Sequence, residues 1–198
     1  MEILKFSENI GSFEADDTKI DDLVSYFYQL KEDNQQQKLV SVRKGWQMHD
    51  LHFRKEPEVK YLNEMLSSNF WKYFMTYEPK KQLHFTITNL FVNILPPGGY
   101  NVIHEHLGCQ FSGVYYLQSD PIHSGDLILY NPMPSAQSLV DFPGFDHIPN
   151  VIRFRPVRNT GIFFSSRMAH RVDANNSDID RISLSFNFRI NDFMPANF

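Results

Sequence analysis

Residues 181–190 read Arg-Ile-Ser-Leu-Ser-Phe-Asn-Phe-Arg-Ile, a run in which polar and apolar side chains alternate. Side chains in a strand project to opposite faces with period two, so the run predicts a strand with one face on an apolar core. Outward from it, seven further short apolar or alternating runs follow residue 82, at 83–95, 100–106, 111–118, 126–130, 150–155, 161–165 and 168–174. Pro96-Pro97-Gly98-Gly99, Ser124-Gly125-Asp126, Asn159-Thr160-Gly161 and Asn175-Asn176-Ser177-Asp178 divide them with strong turn signals. Eight such runs suit an antiparallel double sheet. Residues 131–149, with four prolines, read as a long loop of the kind that covers a binding site.

The first 80 residues follow a different period. Ile20, Leu23, Val24, Phe27 and Leu30 recur at helical spacing over 18–31, with Thr18 and Asp21 placed to cap the first turn. A second helix should begin near Pro57 and bury Val59, Leu62, Met65, Leu66, Phe70 and Phe74 before stopping ahead of Pro79. Residues 32–38 read as a polar loop, and 39–55 are ambiguous, with room for a short strand before Gly45-Trp46-Gln47. The expectation is one domain over 1–198, a helical part over 1–80 resting on a β core over 82–190.

Composition narrows the function. Aromatic residues make up 15 %, including 18 Phe, which favours a strand-rich interior. A net charge of −4, with scattered basic residues, argues against a nucleic-acid partner. The chain has a single cysteine and no apolar run of membrane-spanning length. Its amino terminus has neither a basic nor an apolar leader segment, so a cytoplasmic protein with no membrane partner is expected.

His104 and His106 stand one residue apart on an extended segment, so both rings should face the same way. With His170 entering from a distant strand they form a candidate mononuclear iron site. A His-x-His pair alone is more often chance or a set of surface histidines, and the chain holds eight histidines; the added context of His170 and Arg181 makes the combination specific. His49, His52, His84, His123 and His147 lack such company and read as surface or structural, His147 being the exception to watch because it lies in the 131–149 loop. Cys109 reads as a small buried side chain in a turn.

Arg181 and Ser183 share a face of the last strand. A guanidinium grips a carboxylate through two parallel hydrogen bonds and a hydroxyl adds a third, which would hold the far end of 2-oxoglutarate. An inward arginine needs an anionic ligand or an internal Asp; the plainer alternative is a salt bridge to Asp178 or Asp180.

Together HEHLGCQFSGVYYL, GDLILYNP, TGIFFSSRMAHRV and RISLSFNF, with the earlier GWQMHDL, resemble in order and spacing the 2-oxoglutarate and Fe(II)-dependent oxygenases of bacteriophages and marine bacteria. The resemblance runs from about residue 45 to 190. It implies a mainly β fold with flanking N-terminal helices, the double-stranded β-helix or cupin-like jelly roll. Carried over, it makes His104 and His170 iron ligands, Arg181 the co-substrate clamp with Ser183 beside it, and Tyr116 a further donor to the same carboxylate, with Tyr115 facing away. Asn93 is a weaker candidate for a polar contact in the barrel. The departure is at 106, where the wider superfamily carries Asp or Glu; a third imidazole there leaves the site one charge more positive. An alternative register takes His106 as first ligand with Gly108 at the carboxylate position.

The expectation is a dioxygenase that uses Fe(II), 2-oxoglutarate and dioxygen to hydroxylate an unidentified primary substrate, releasing succinate and CO2. The rivals are a three-histidine cupin-type dioxygenase that needs no 2-oxoglutarate and a non-catalytic jelly-roll binding module. A homodimer is among the assemblies the sequence permits.

Overall fold

The computed structural model describes residues 9–34, 39–80, 83–132 and 151–192. Two antiparallel sheets face each other. The larger has the order β1 (Gly11–Glu14), β9 (Thr160–Ser165), β6 (Phe111–Gln118), β11 (Arg181–Asp192), β4 (Leu83–Leu95), β3 (Trp46–Met48). The smaller runs β2 (Val42–Arg43), β5 (Tyr100–His104), β10 (His170–Val172), β7 (Leu127–Tyr130), β8 (Val151–Phe154). The helices are α1 (Ile20–Asp33) and α2 (Pro57–Met75).

Period two sorts the larger sheet's side chains between two apolar regions. Leu90, Val92 and Ile94 of β4, Tyr115 and Leu117 of β6, Phe163 of β9, and Ile182, Leu184, Phe186 and Phe188 of β11 all point at the helices. There they meet Phe27 of α1 and Leu66 and Phe70 of α2, and Phe70 lies flat on Phe188 with ring centroids 3.9 Å apart. Burying such side chains contributes roughly 1.5–3 kcal/mol each before chain entropy is subtracted. The opposite face, between the sheets, carries a smaller apolar group, Val114, Ile162, Phe164, Leu127, Leu129 and Met168, and leaves room for polar side chains.

The sequence missed some elements. Strand β1 lies in a stretch that carries no strand signal, and it forms because Gly11 to Glu14 add to the edge of β9. Within 39–55 the short strand expected before Gly45 is β2, while β3 and a 3-10 turn at Leu51–Phe53 were not separated by the sequence. The first helix begins at Ile20 after a 3-10 turn, Asp17–Lys19, and ends at Asp33 rather than 31. Its expected caps are not made: Asp16 Oδ1 accepts from the Thr18 amide, while Asp21 pairs with Arg158 at 2.6 Å. Met65 is only partly buried, because it lies at the margin of the face α2 presents to the sheet. The 131–149 loop falls outside the described residues from position 133, and His147 with it. Among the described residues no helix is long and apolar enough to cross a membrane.

Candidate metal centre and acid-binding cavity

His104 ends β5 and His170 begins β10, directly opposite each other in the register, with ring centroids 4.3 Å apart. A bulge between the two strands gives β5 one more residue than β10 over this span, so Asn101 and His104, three apart, both face the inter-sheet cavity. His106 lies beyond the strand rather than on it, so strand alternation is not what aims its ring. The loop is clipped to the turn before β10: the His106 amide donates to the Ser166 carbonyl at 3.1 Å, the Ser166 amide to the Gln110 carbonyl at 3.0 Å, and the Ser166 hydroxyl to the Cys109 carbonyl. The His106 ring then stands 5.1 Å from both His104 and His170, and the three offer nitrogens that all lie within 4.8 Å of one another. The intervening Glu105 is exposed.

Hydrogen bonds settle the tautomers of two rings. His104 Nδ1 contacts the Val102 carbonyl at 2.8 Å and His170 Nδ1 the Met168 carbonyl at 2.9 Å. A carbonyl only accepts, so each Nδ1 carries a proton and each Nε2 keeps its lone pair for a cation. Burial pushes His170 down to about 3, with the neighbouring His104 and His106 adding to the effect and the Met168 carbonyl opposing it. Burial and His104 push His106 to about 4 against a hydrogen bond with the Asn187 side chain. His104 is lowered by burial and held up by the Val102 carbonyl. Neutral imidazoles are what a metal binds, so no proton has to leave first.

A pH dependence follows. The folded rings titrate below their ordinary value of 6.5. Between that value and the folded ones the unfolded chain holds more protons, so falling pH favours unfolding. Metal-free protein is expected to lose stability as pH drops below about 6.5. His170→Gln should lose less over the same range. Urea unfolding with chelator at neutral and mildly acid pH reads the difference; identical slopes for the two proteins would mean that His170 is already charged in the fold.

Further along the cavity, Arg181 is 1 % exposed at the start of β11. It has not formed the salt bridge to Asp178 or Asp180: Asp180 pairs with Lys31 at 3.8 Å and accepts from the Tyr28 hydroxyl. Arg181 Nη1 instead donates to the Ser124 carbonyl and, at 3.0 and 3.2 Å, to the carbonyls of Gly125 and Asp173. These bonds hold the guanidinium in place without neutralising it. Among the described residues its buried Nη2 has no hydrogen-bond partner, and neither does the buried Tyr116 hydroxyl. Burial pushes Arg181 to about 10 and Tyr116 to about 12, so both stay protonated donors at neutral pH. Leaving two such donors unmatched costs roughly 1–3 kcal/mol each unless an acceptor arrives. Ser183 pairs with Tyr116 in the register and lines the same cavity. A carboxylate meets these requirements, and the three imidazoles meet those of a divalent metal.

Tyr115 faces the helices and donates to Asn159 Oδ1, opposite to Tyr116. Asn93 lines the cavity with its amide engaged at both ends, accepting from Gln47 Nε2 at 2.8 Å and donating to Ser185 Oγ at 3.1 Å. Gly108 sits in a turn at φ +86° with its carbonyl taken by Arg189, while the rings that converge are those of His104, His106 and His170. Cys109 is half-buried and its thiol turns to the His106 carbonyl at 3.7 Å. His123 is exposed beside Asp120. His49 is nearer the site than a surface role implies: it stacks on Phe91, which stacks on His106. Sequence reasoning passed over Phe91, Asn101, Ser185 and Asn187. The available signal for two of them was the polar alternation Arg181, Ser183, Ser185, Asn187.

The model of the family described as "Putative 2OG-Fe(II) oxygenase" matches residues 89–187, half of the chain, and spans all three histidines and Arg181. The chain belongs to the 2OG-Fe(II) oxygenase family. Solved structures share the fold of this oxygenase. A Pseudomonas putida prolyl-4-hydroxylase aligns at TM-score 0.62 and 14 % identity, covering 92 % of this chain and 93 % of its own. A Trichoplax adhaerens prolyl hydroxylase, solved with a hypoxia inducible factor peptide fragment, aligns at 0.65 and 16 %, covering 91 % and 83 %. The alpha-ketoglutarate-dependent carbocyclase SnoK of nogalamycin biosynthesis aligns at 0.66 and 11 %, covering 91 % and 79 %. No curated protein sequence matches the chain. Its fold is thus the mainly β jelly roll with two N-terminal helices, and the protein is a 2-oxoglutarate-dependent dioxygenase whose cofactor is Fe(II).

Proposed function

We propose that His104, His106 and His170 hold the Fe(II) and that Arg181, Tyr116 and Ser183 grip the distal carboxylate of 2-oxoglutarate, so that a C–H bond of a second substrate is hydroxylated. In the balanced reaction, 2-oxoglutarate, dioxygen and R–H give succinate, CO2 and R–OH. The observation that carries the reading is a pair of buried donors unmatched among the described residues, Arg181 Nη2 and the Tyr116 hydroxyl, in the cavity the histidines share.

Each residue's part follows from its chemistry. The iron supplies Lewis acidity and the one-electron steps that dioxygen chemistry needs. His104 and His170 present Nε2 because backbone carbonyls hold their Nδ1 protons. Arg181 offers a charged donor already oriented by three carbonyls, so little ordering entropy is lost when the acid binds. Tyr116 and Ser183 add hydroxyls from neighbouring strands of the larger sheet. Asn93 keeps the neighbouring wall polar through Gln47 and Ser185. Phe91, Val114, Leu127, Phe164 and Val172 exclude water around these groups. We further propose that residues 1–80 and 82–190 work as one unit, since the helices bury the back of the sheet that carries Arg181.

Anaerobic titration of the protein with Fe(II) and 2-oxoglutarate tests the reading. Bidentate chelation by the keto acid should produce a weak visible charge-transfer band, and succinate should form on admission of air. Iron binding with no band, or oxygen uptake indifferent to 2-oxoglutarate, would overturn the proposal.

A further inference from the structure

Val40, Gln47, Asn93 and Ser185 form one directional chain of hydrogen bonds across the larger sheet. The Val40 backbone amide donates to Gln47 Oε1 at 3.3 Å, and because a backbone N–H can only donate, this contact fixes which end of the Gln47 amide is oxygen. Gln47 Nε2 then donates to Asn93 Oδ1 at 2.8 Å, beside it in the β3–β4 register, and Asn93 Nδ2 donates to Ser185 Oγ at 3.1 Å. Reversing either amide would set donor against donor. The Ser185 oxygen is therefore an acceptor, and its own proton must go elsewhere. Across the sheet Ser185 lies opposite Phe91 of β4 and Val114 of β6, whose side chains offer no acceptor, and among the described residues its hydroxyl donates to none. Only the cavity is left for the proton, and Ser185 is part of its lining. Arg181, Ser183 and Ser185 follow one another along the cavity face of β11. Arg181 stands at one end of that row, while Phe91, level with Ser185, stacks on the His106 ring with 11° between planes and 6.0 Å between centroids.

We propose that Ser185 binds the keto-acid end of 2-oxoglutarate: its hydroxyl, with the oxygen held by Asn93, donates to the carboxylate beside the keto group while Arg181 holds the opposite end. This rests on the reading of the cavity as the 2-oxoglutarate site. Gln47 and Asn93 are positioning residues that aim the donor from behind. A donor oriented before the acid arrives loses little ordering entropy when it binds. A hydrogen bond to a charged group is strong enough to change affinity about 10- to 100-fold.

Ser185→Ala removes the donor, and Ser185→Thr keeps it. In isothermal titration of 2-oxoglutarate into the Mn(II)-loaded proteins, Ser185→Ala is expected to bind about 10- to 100-fold more weakly than the parent, with Mn(II) affinity unchanged. Ser185→Thr should bind as the parent does. The anaerobic Fe(II) and 2-oxoglutarate complex of Ser185→Ala should show a displaced charge-transfer band, which a merely structural role would not move. 2-Oxobutyrate keeps the keto-acid end and lacks the distal carboxylate. Ser185→Ala should weaken it by the same factor as 2-oxoglutarate, whereas Arg181→Lys should weaken 2-oxoglutarate alone. Parent-like binding of either acid by Ser185→Ala, or equal losses in Ser185→Ala and Ser185→Thr, overturns the inference. The parent and Arg181→Lys separate the two levels. If the metal-loaded parent binds no 2-oxoglutarate, the reading of the cavity falls and takes this inference with it. If the parent binds it and Arg181→Lys weakens it while Ser185→Ala does not, the inference alone falls.

Discussion

Replacing Arg181 by alanine is expected to raise the 2-oxoglutarate concentration needed for half-maximal turnover about a hundred- to a thousand-fold, with Fe(II) affinity changed far less. Truncating one partner of a buried charged pair costs about 2–5 kcal/mol, and each 1.4 kcal/mol is tenfold. Arg181 is 1 % exposed and its Nη2 is unmatched among the described residues, so the incoming carboxylate takes up a donor that none of them engages. Arg181 also serves the carbonyls of Ser124, Gly125 and Asp173, so alanine should lower the melting temperature as well. Arg181→Lys separates the effects: it keeps a charge near those carbonyls but loses the planar fork, and should fold like the parent while still needing more 2-oxoglutarate. Isothermal titration of 2-oxoglutarate into the Mn(II)-loaded variants measures this. Equal losses of metal and co-substrate in both variants would show that the site had collapsed, and the clamp assignment would fail.

The second large effect belongs to the histidines. Alanine at His170 should abolish iron retention and turnover together, because it removes the ring that faces His104 across the β5–β10 register. His104→Ala should do the same. Alanine at His123, exposed beside Asp120, should change neither. Removing one of three ligands from a divalent site is expected to cost more than about 100-fold in metal affinity, exceeding the loss of an outer partner. Metal content after dialysis against weak chelator reads the result directly. A His170→Ala protein that keeps stoichiometric iron would remove the metal centre from this part of the fold. The folded state of the metal-free variants should survive, since each lost ring is a polar group whose burial cost is lost with it.

Much of this was legible along the chain because it depends on local period. The alternation in Arg181-Ile182-Ser183-Leu184-Ser185-Phe186-Asn187-Phe188 does mark one face for the helices and one for the cavity, and Tyr115 and Tyr116 do part to opposite sides. Helical spacing found the buried faces of α1 and α2. Failures came where pairing, not propensity, made the element. Strand β1 exists only as an edge on β9, and Trp46–Met48 is a strand because Ile94, Asn93 and Val92 of β4 lie beside it. His106 was placed on the right side for the wrong reason, as it owes its direction to the clip through Ser166 and not to strand alternation.

What the sequence by itself determined was the inventory and its facing: three imidazoles, a guanidinium, hydroxyls, and the strands whose period two turns them inward. Only the tertiary structure decided how they meet. It chose backbone carbonyls over Asp178 or Asp180 for Arg181, assigned the protons of His104 and His170, and brought the His106 ring within reach of both. The physical reason is that facing is a property of neighbouring peptide units, whereas which groups share a proton depends on strand register and bulges, set by hydrogen bonds between segments far apart in the chain.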